Sequence, residues 1–231
     1  MTNAEVKYVK SLSQKKFRDE WGVFTVEGEK MVSEAEKSGF VIERVYRKDE
    51  IGEETMGRIS SLRSPSPVLA VVRKPEVTFR APSKGLYLAL DGIRDPGNLG
   101  TILRIADWFG IDAVYASADT VELFNPKVVQ STMGAIFRVP FYTVDIPSLC
   151  SEYDGPVYGT FLDGENMYGK KLSSVGIIVI GNEANGISAA TAACVTDRLY
   201  IPPYPAGSPG SESLNAAVAT AITVAEFRRR A

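Results

Sequence analysis

The chain of 231 residues contains no histidine. That absence removes Ser-His-Asp and Cys-His triads, histidine general bases and every His-ligated metal site. Any catalysis must run on carboxylates, Lys, Arg, Tyr, hydroxyls or backbone dipoles. Cysteine is nearly as scarce: Cys150 and Cys194 lie far apart and match no zinc or redox spacing. Two buried thiols in a reducing cytoplasm are the expectation. No apolar run reaches the length of a membrane span. The N-terminus, MTNAEVKYVK, is polar and charged, without the apolar centre of a secretion signal. A positive excess is missing too: 26 basic residues face 28 acidic ones, a net charge of −2. Nucleic-acid binding must therefore rest on local patches. KSLSQKKFR (10–18) and FRRR (227–230) are the candidates, and a solvated helix face is the ordinary fate of such runs.

Apolar residues make up 45% of the chain, enough for a sizeable core. Residues 1–78 read as a small α/β unit by period and punctuation. A helix is expected over 4–20, a strand over WGVFTVEG (21–28), a helix over EKMVSEAEKSGF with Gly39 as its stop, and strands in VIERVYR and PVLAVVRKP. VTFRAPSKG (77–85) has the composition of a linker. From Leu86 the rhythm changes. Apolar runs LYLAL (86–90), AVYA (113–116), RVPFYTV (138–144), VYGTFL (157–162), GIIVIG (176–181) and RLYIP (198–202) alternate with helical patterns over 98–109, from about Pro126, over 187–194 and over 212–229. Flat apolar strands separated by helices predict a mostly parallel sheet with helices on both faces. Ligands in such folds bind beyond the carboxyl ends of the strands. The expected division is 1–78, a linker over 79–85, and a larger domain over 86–231.

Four stretches carry candidate chemistry. DGENMYGKK (163–171) matches most of a phosphate-binding loop, but Lys171 stands where a magnesium-binding hydroxyl is needed, and LSSVG is a poor helix start. A polar glycine loop is the better reading. GNEANGIS (181–188) follows an apolar strand directly. A turn explains Gly181 and Gly186, and Ser188 can cap a helix, but packing does not explain Glu183. IPPYPAGSPGSESLNAAVATA (201–221) joins a proline-rich loop to an alanine-rich helix opened by Ser213, Leu214 and Asn215. In DGIRDPGNLGTILRIAD (91–107), Asn98 has the chemistry of an N-cap and Arg104 that of a solvated helix residue.

Taken in order, three of these blocks resemble the SpoU/TrmH branch of the SPOUT RNA methyltransferases. Asp91, Asp95-Pro96, Asn98, Gly100, Arg104, Ala106 and Gly110 match the first family block. Gly181, Glu183, Gly186 and Ser188 match the second, and Ile201-Pro202 with Ser213-Leu214-Asn215 the third. The resemblance covers 86–229, and FTVEGEKMVSEAEKSG resembles the small substrate-binding domain carried by many of these enzymes. The loop before Ser213, with Pro203, Pro205 and Pro209, is a few residues longer than is usual in the family.

The resemblance implies a trefoil knot near the C-terminus, an exception to the rule against threaded loops. It implies S-adenosylmethionine as cofactor, lined by Thr160, Gly181, Asn182, Glu183, Ile201 and Leu214, and no metal. It implies a homodimer, a cytoplasmic setting without a membrane, and 2′-O-methylation of a ribose in structured RNA, ribosomal RNA ahead of transfer RNA. Arg104 would act on the ribose, either as a base relieved of its proton by an RNA phosphate or as a clamp. Asn98 and Glu183 would orient its guanidinium, and Ser213 and Asn215 would hold the ribose or first-block residues. Lys10, Lys15, Lys16 and Arg18 would meet the RNA through phosphate and shape. The competing readings are a non-catalytic RNA-binding protein of the same fold and a P-loop hydrolase.

Overall fold

The computed structural model describes residues 1–205 and 213–230. By internal contacts the chain groups into two units, Met1–Val77 with Glu122–Arg138, and Thr78–Val121 with Val139–Ala231.

The first unit begins with α1 (Asn3–Ser11) and α2 (Lys15–Trp21), followed by β1 (Val23–Glu27), α3 (Glu29–Lys37), β2 (Ile42–Arg47), α4 (Lys48–Ile51), α5 (Glu53–Ile59) and β3 (Val68–Arg73). The three strands form an antiparallel sheet in the order β1-β3-β2. Central β3 is buried on both faces and alternates between two cores. Leu69 and Val71 pack with Val6, Val9, Met56 and Ile59. Val68, Ala70 and Val72 pack with Met31, Val32, Ala35, Val129 and Phe137. Such side chains contribute about 1.5–3 kcal/mol each on full burial.

The expected single helix over 4–20 is two helices. The hydroxyls of Ser11 and Ser13 donate back to the carbonyls of Tyr8 (2.6 Å) and Lys10 (2.9 Å), which competes with helix continuation. At the break the Arg18 guanidinium donates to the Leu12 carbonyl at 2.8 Å. Trp21 accordingly closes α2 and does not open the strand. The short polar helices α4 and α5 carry no apolar stripe long enough to be read from the sequence.

The second unit carries β4 (Leu86–Asp91), α6 (Pro96–Trp108) and β5 (Ala113–Ala116). The chain then enters Glu122–Arg138, the stretch grouped with the first unit, where α7 (Pro126–Ser131) is capped by the Asn125 side chain. After it come β6 (Phe141–Thr143), α8 (Ile146–Glu152), β7 (Val157–Asn166), β8 (Gly176–Gly181), α9 (Ala189–Ala192), β9 (Asp197–Tyr200) and α10 (Ala216–Arg229). The six strands pair in parallel in the order β6-β5-β4-β8-β7-β9. The α/β expectation of a mostly parallel sheet is met. Strand order reverses between β4 and β8, where Asp91 pairs with Gly181 at the carboxyl ends, the place where a crevice forms in such sheets. The start expected for the last helix, residue 212, lies outside the described residues, as does Pro209.

The stretch expected as a linker is a strap tied to the second unit. Tyr115 Oη donates to the Arg80 carbonyl at 2.7 Å, the Ser83 amide donates to Tyr87 Oη at 3.1 Å, and Tyr153 Oη donates to the Ser83 carbonyl. Cys150 is buried, and burial pushes its thiol up to about 12. Cys194 is only partly buried, so one of the two expected buried thiols is not. No helix among the described residues is long and apolar enough to cross a membrane.

Candidate active site

The first block forms its helix start without using Asn98 as the cap. Asp95 is the N-cap of α6, its carboxylate accepting from the Asn98 amide at 2.8 Å, and Pro96 fills the first helical position. The Asn98 side chain is thereby left for other work. Its amide nitrogen donates to the Glu183 carboxylate, and its oxygen accepts from Asn215 Nδ2 at 2.8 Å. Asn215 in turn caps α10, accepting from the amides of Ala217 and Val218. One residue from each block thus joins a single relay, Asn215–Asn98–Glu183.

The relay borders a cavity of about 520 Å³ at the carboxyl edge of β7, β8 and β9. This is within the range of small-molecule sites. Thr160, Gly181, Asn182, Glu183, Ile201 and Leu214, the six residues expected at a cofactor, all line it, with Ser213 beside them. Phe161, Leu162 and Tyr200 also line it and were not foreseen. The sequence gives no sign of the cause: β7 pairs with Leu199 of β9 twice, at Thr160 and again at Glu165, so the intervening residues bulge. Among the described lining residues Glu183 is the only charged side chain.

The floor of the cavity is a close backbone turn. Asn182 and Gly186 exchange amide–carbonyl bonds at 3.0 and 2.9 Å. A Cβ on Gly181 would lie 2.3 Å from the Gly186 carbonyl carbon and 2.4 Å from the Ile187 nitrogen, so only glycine fits. The Asn182 oxygen accepts from the amides of Ala184 and Asn185, and its Nδ2 donates to the Gly92 carbonyl at 2.7 Å. Ser188 caps α9, and its amide donates to Asp91 at 2.8 Å. The turn is therefore tied to the first block from both ends.

Arg104 stands elsewhere. Six helical residues separate it from Asn98, which turns it about 120° around α6. It is exposed and has no hydrogen bond or ion pair among the described residues. The expectation that Asn98 and Glu183 hold its guanidinium is overturned within this chain: those two hold each other and Asn215.

Among the basic residues expected to meet RNA, Arg18 is corrected. Arg18 is 1% exposed, bound to Leu12 and to Glu122, and offers nothing to RNA. Lys15 is engaged with Asp19 at 2.5 Å. The FRRR patch is structural: Phe227 is buried, Arg228 donates to the carbonyls of Phe109 and Gly110, and Arg229 and Arg230 bind Glu226. The phosphate-loop look-alike is structural as well. Lys170 pairs with Glu165 (3.2 Å) and Asp197 (3.0 Å), and only a short 3-10 turn over Met167–Gly169 follows the strand.

Residues 85–225 match the SpoU rRNA Methylase family, and residues 3–74 match the MRM3-like substrate binding domain. The 23S rRNA (guanosine(2553)-2′-O)-methyltransferase RlmP of Bacillus subtilis is 34% identical, over 98% of this chain and 96% of its own. A TrmH-family structure from Porphyromonas gingivalis superposes with a TM-score of 0.89 at 37% identity, covering 100% of this chain and 99% of that one. An AdoMet-bound rRNA methyltransferase from Sinorhizobium meliloti gives 0.87 at 30%, covering 99% and 95%. Fold and relay, set beside these relatives, define a methyltransferase with a SPOUT-like parallel sheet. The chain belongs to the SpoU rRNA methylase family.

Proposed function

We propose that this methyltransferase moves a methyl group from S-adenosylmethionine to a ribose 2′-hydroxyl in structured RNA, ribosomal RNA ahead of transfer RNA. The carrying observation is the Asn215–Asn98–Glu183 relay at the edge of a largely apolar cavity with one carboxylate. The residues fit the cofactor. Apolar side chains such as Ile180, Ile201 and Leu214 suit a flat adenine, and the Gly181–Gly186 turn presents backbone amides and carbonyls. Glu183 suits a positive charge. When bound, S-adenosylmethionine supplies an electrophilic methyl group on a cationic sulfur.

The chain's own contribution is alignment and exclusion of water. Asn98 and Asn215 hold Glu183 in place, so its charge faces the cavity in a fixed direction. Arg104 serves as a clamp on an RNA phosphate and the ribose oxygen. Ser213 lines the same cavity and is assigned to the ribose.

A homodimer is part of this reading, supported by exposed apolar side chains on α6 and at the start of α10. Trp108 on α6 is 84% exposed, and Leu214 and Val218 at the start of α10 are 46% and 48% exposed. Patches of this kind mark interaction surfaces, and a second copy would take Arg104 out of bulk solvent. Residues 1–78, with which 122–138 group, serve as the RNA substrate-binding domain, and the rest of 86–231 as the catalytic domain, with a trefoil knot in its C-terminal part; 79–85 connects the two while bonded to the catalytic side. The setting is the cytoplasm.

The test is methyl transfer. The protein is incubated with labelled S-adenosylmethionine and total RNA from cells lacking it, and nucleosides are identified by mass spectrometry. A 2′-O-methylnucleoside in ribosomal RNA is the expected product. A base-methylated nucleoside would overturn the site chemistry, and absence of both transfer and cofactor binding would favour a non-catalytic RNA-binding role.

A further inference from the structure

The first unit carries a surface cluster of aromatic rings. The Trp21 ring lies 4.6 Å from that of Tyr8 and 5.4 Å from that of Phe17, the latter pair 25° from parallel. Trp21 is 39% exposed, and Tyr8 and Phe17 are half-buried. A tryptophan needed only for packing would be turned inward; this one closes α2 with its ring at the surface.

The cluster is preformed. Phe17 and Trp21 sit one turn apart on α2, and α2 is fixed by Arg18, whose buried guanidinium binds the Leu12 carbonyl and the Glu122 carboxylate. A rigid platform loses little freedom on binding.

Most acidic groups around it are paired, Glu43 also reaching the Tyr8 hydroxyl. Asp19 is held between Lys15 (2.5 Å) and Lys74 (2.6 Å), Glu43 by Arg73 (2.5 Å) and Glu5 by Arg44 (2.6 Å). On α1 and α2, Lys7, Lys10 and Lys16 have no acidic partner among the described residues, against Glu20 alone on the acidic side. The Lys16 ammonium stands 5.7 Å from the Phe17 ring centre. Aromatic faces beside free lysines are the chemistry of unpaired nucleotides: bases stack, and phosphates meet the ammonium groups.

We propose that Trp21, with Tyr8 and Phe17, stacks an unpaired base of the RNA substrate while Lys16 holds an adjoining phosphate. The RNA this protein fits therefore presents a loop, bulge or single-stranded end to the first unit, and duplex shape alone does not recruit it. The platform rests on the RNA methyltransferase reading for its setting, but direct binding decides it.

The full-length protein is titrated against a fluorescein-labelled mixed-sequence single-stranded RNA of about 12 nucleotides, within the site sizes of such surfaces, and against the duplex of the same sequence. Fluorescence anisotropy is the readout. The wild type is expected to bind the single strand more tightly. Trp21→Leu weakens single-strand binding by roughly tenfold and leaves duplex binding unchanged, while Trp21→Phe keeps most of the affinity. Lys16→Gln, an exposed change that does not touch the core, lowers the salt dependence by about one phosphate contact. In methyl transfer, Trp21→Leu raises KM for RNA and leaves kcat and cofactor affinity unchanged.

Equal binding of both RNA forms by wild type and a Trp21→Leu variant with wild-type thermal melting would overturn the platform. So would a change of oligomeric mass in that variant with RNA binding intact, which would make the cluster a protein contact. Loss of all methyl transfer by the wild type would instead overturn the enzymatic reading, leaving the oligonucleotide result to stand by itself.

Discussion

Two glycine-bearing loops follow neighbouring strands of the parallel sheet, and they look alike as text. DGENMYGKK runs through the end of β7, and GNEANGIS leaves β8. In the first, most charges are paired, within the loop or with β9 and the C-terminal segment. Lys170 sits between Glu165 and Asp197, Asp163 binds Arg198 at 2.5 Å, and Arg230 of the C-terminal segment donates to the carbonyls of Lys170 and Tyr168. In the second, glycine presses backbone on backbone, and Glu183 faces a cavity while two amides steady it. A structural loop turns its charges on itself; a functional one holds a charge toward open space.

Changes in the two loops should have different consequences, beginning with the largest. Gly181→Ala puts a methyl group where the Gly186 and Ile187 backbone already lies. Methyl transfer should fall about 100-fold or more, with calorimetric binding of S-adenosylmethionine lost in parallel. Arg104→Ala should lower kcat by roughly 100-fold and leave cofactor affinity at the wild-type value, since no cavity contact is removed. Tight binding retained by Gly181→Ala would erase the contrast between the loops.

The helix that anchors the structural loop through Arg230 should respond to acid. Glu226, held by Arg229 and then Arg230, has its carboxyl lowered from 4.5 to about 2. A depressed folded-state value means that its stabilisation is fully present above about pH 4.5 and is lost as pH falls toward 2. Thermal melts of wild type and Glu226→Gln should therefore differ at neutral pH and converge across that window. Parallel curves from pH 7 to pH 2 would remove Glu226 from the account. The smallest effect belongs to Lys170→Gln. It should cost no more than about 1 kcal/mol in denaturant melts and should not change S-adenosylmethionine binding.

Much of the sheet was legible because buried parallel strands read as apolar runs. AVYA and GIIVIG coincide with β5 and β8, and Asn125-Pro126 marks the start of α7. The helices α4, α5 and α8 were not legible: they are four to seven residues long, too short to establish a period. Arg18 shows the limit for charge. A basic run seen along the chain cannot reveal that one member turns inward to satisfy a carbonyl and a carboxylate 104 residues away. Asn98 shows it for polarity: Asp95, three residues earlier, took the capping role that its type suggested. Of the residues expected at the cofactor, Gly181, Asn182, Glu183, Ile201 and Leu214 lay in the second and third blocks and Thr160 in the apolar run VYGTFL, but the bulge that adds Phe161 and Leu162 to the cavity depends on a register no local pattern announces.

The relay joins residues 85 and 117 positions apart. Contacts of such sequence separation form late and slowly, because long loops must close before they are rewarded. The relay cannot be complete until the end of β8 has reached the start of α6 and the start of α10 has docked there. The site is thus also a clock: the moment at which a refolding chain first holds its methyl donor marks the completion of the second unit, and stopped-flow binding of that donor would time it.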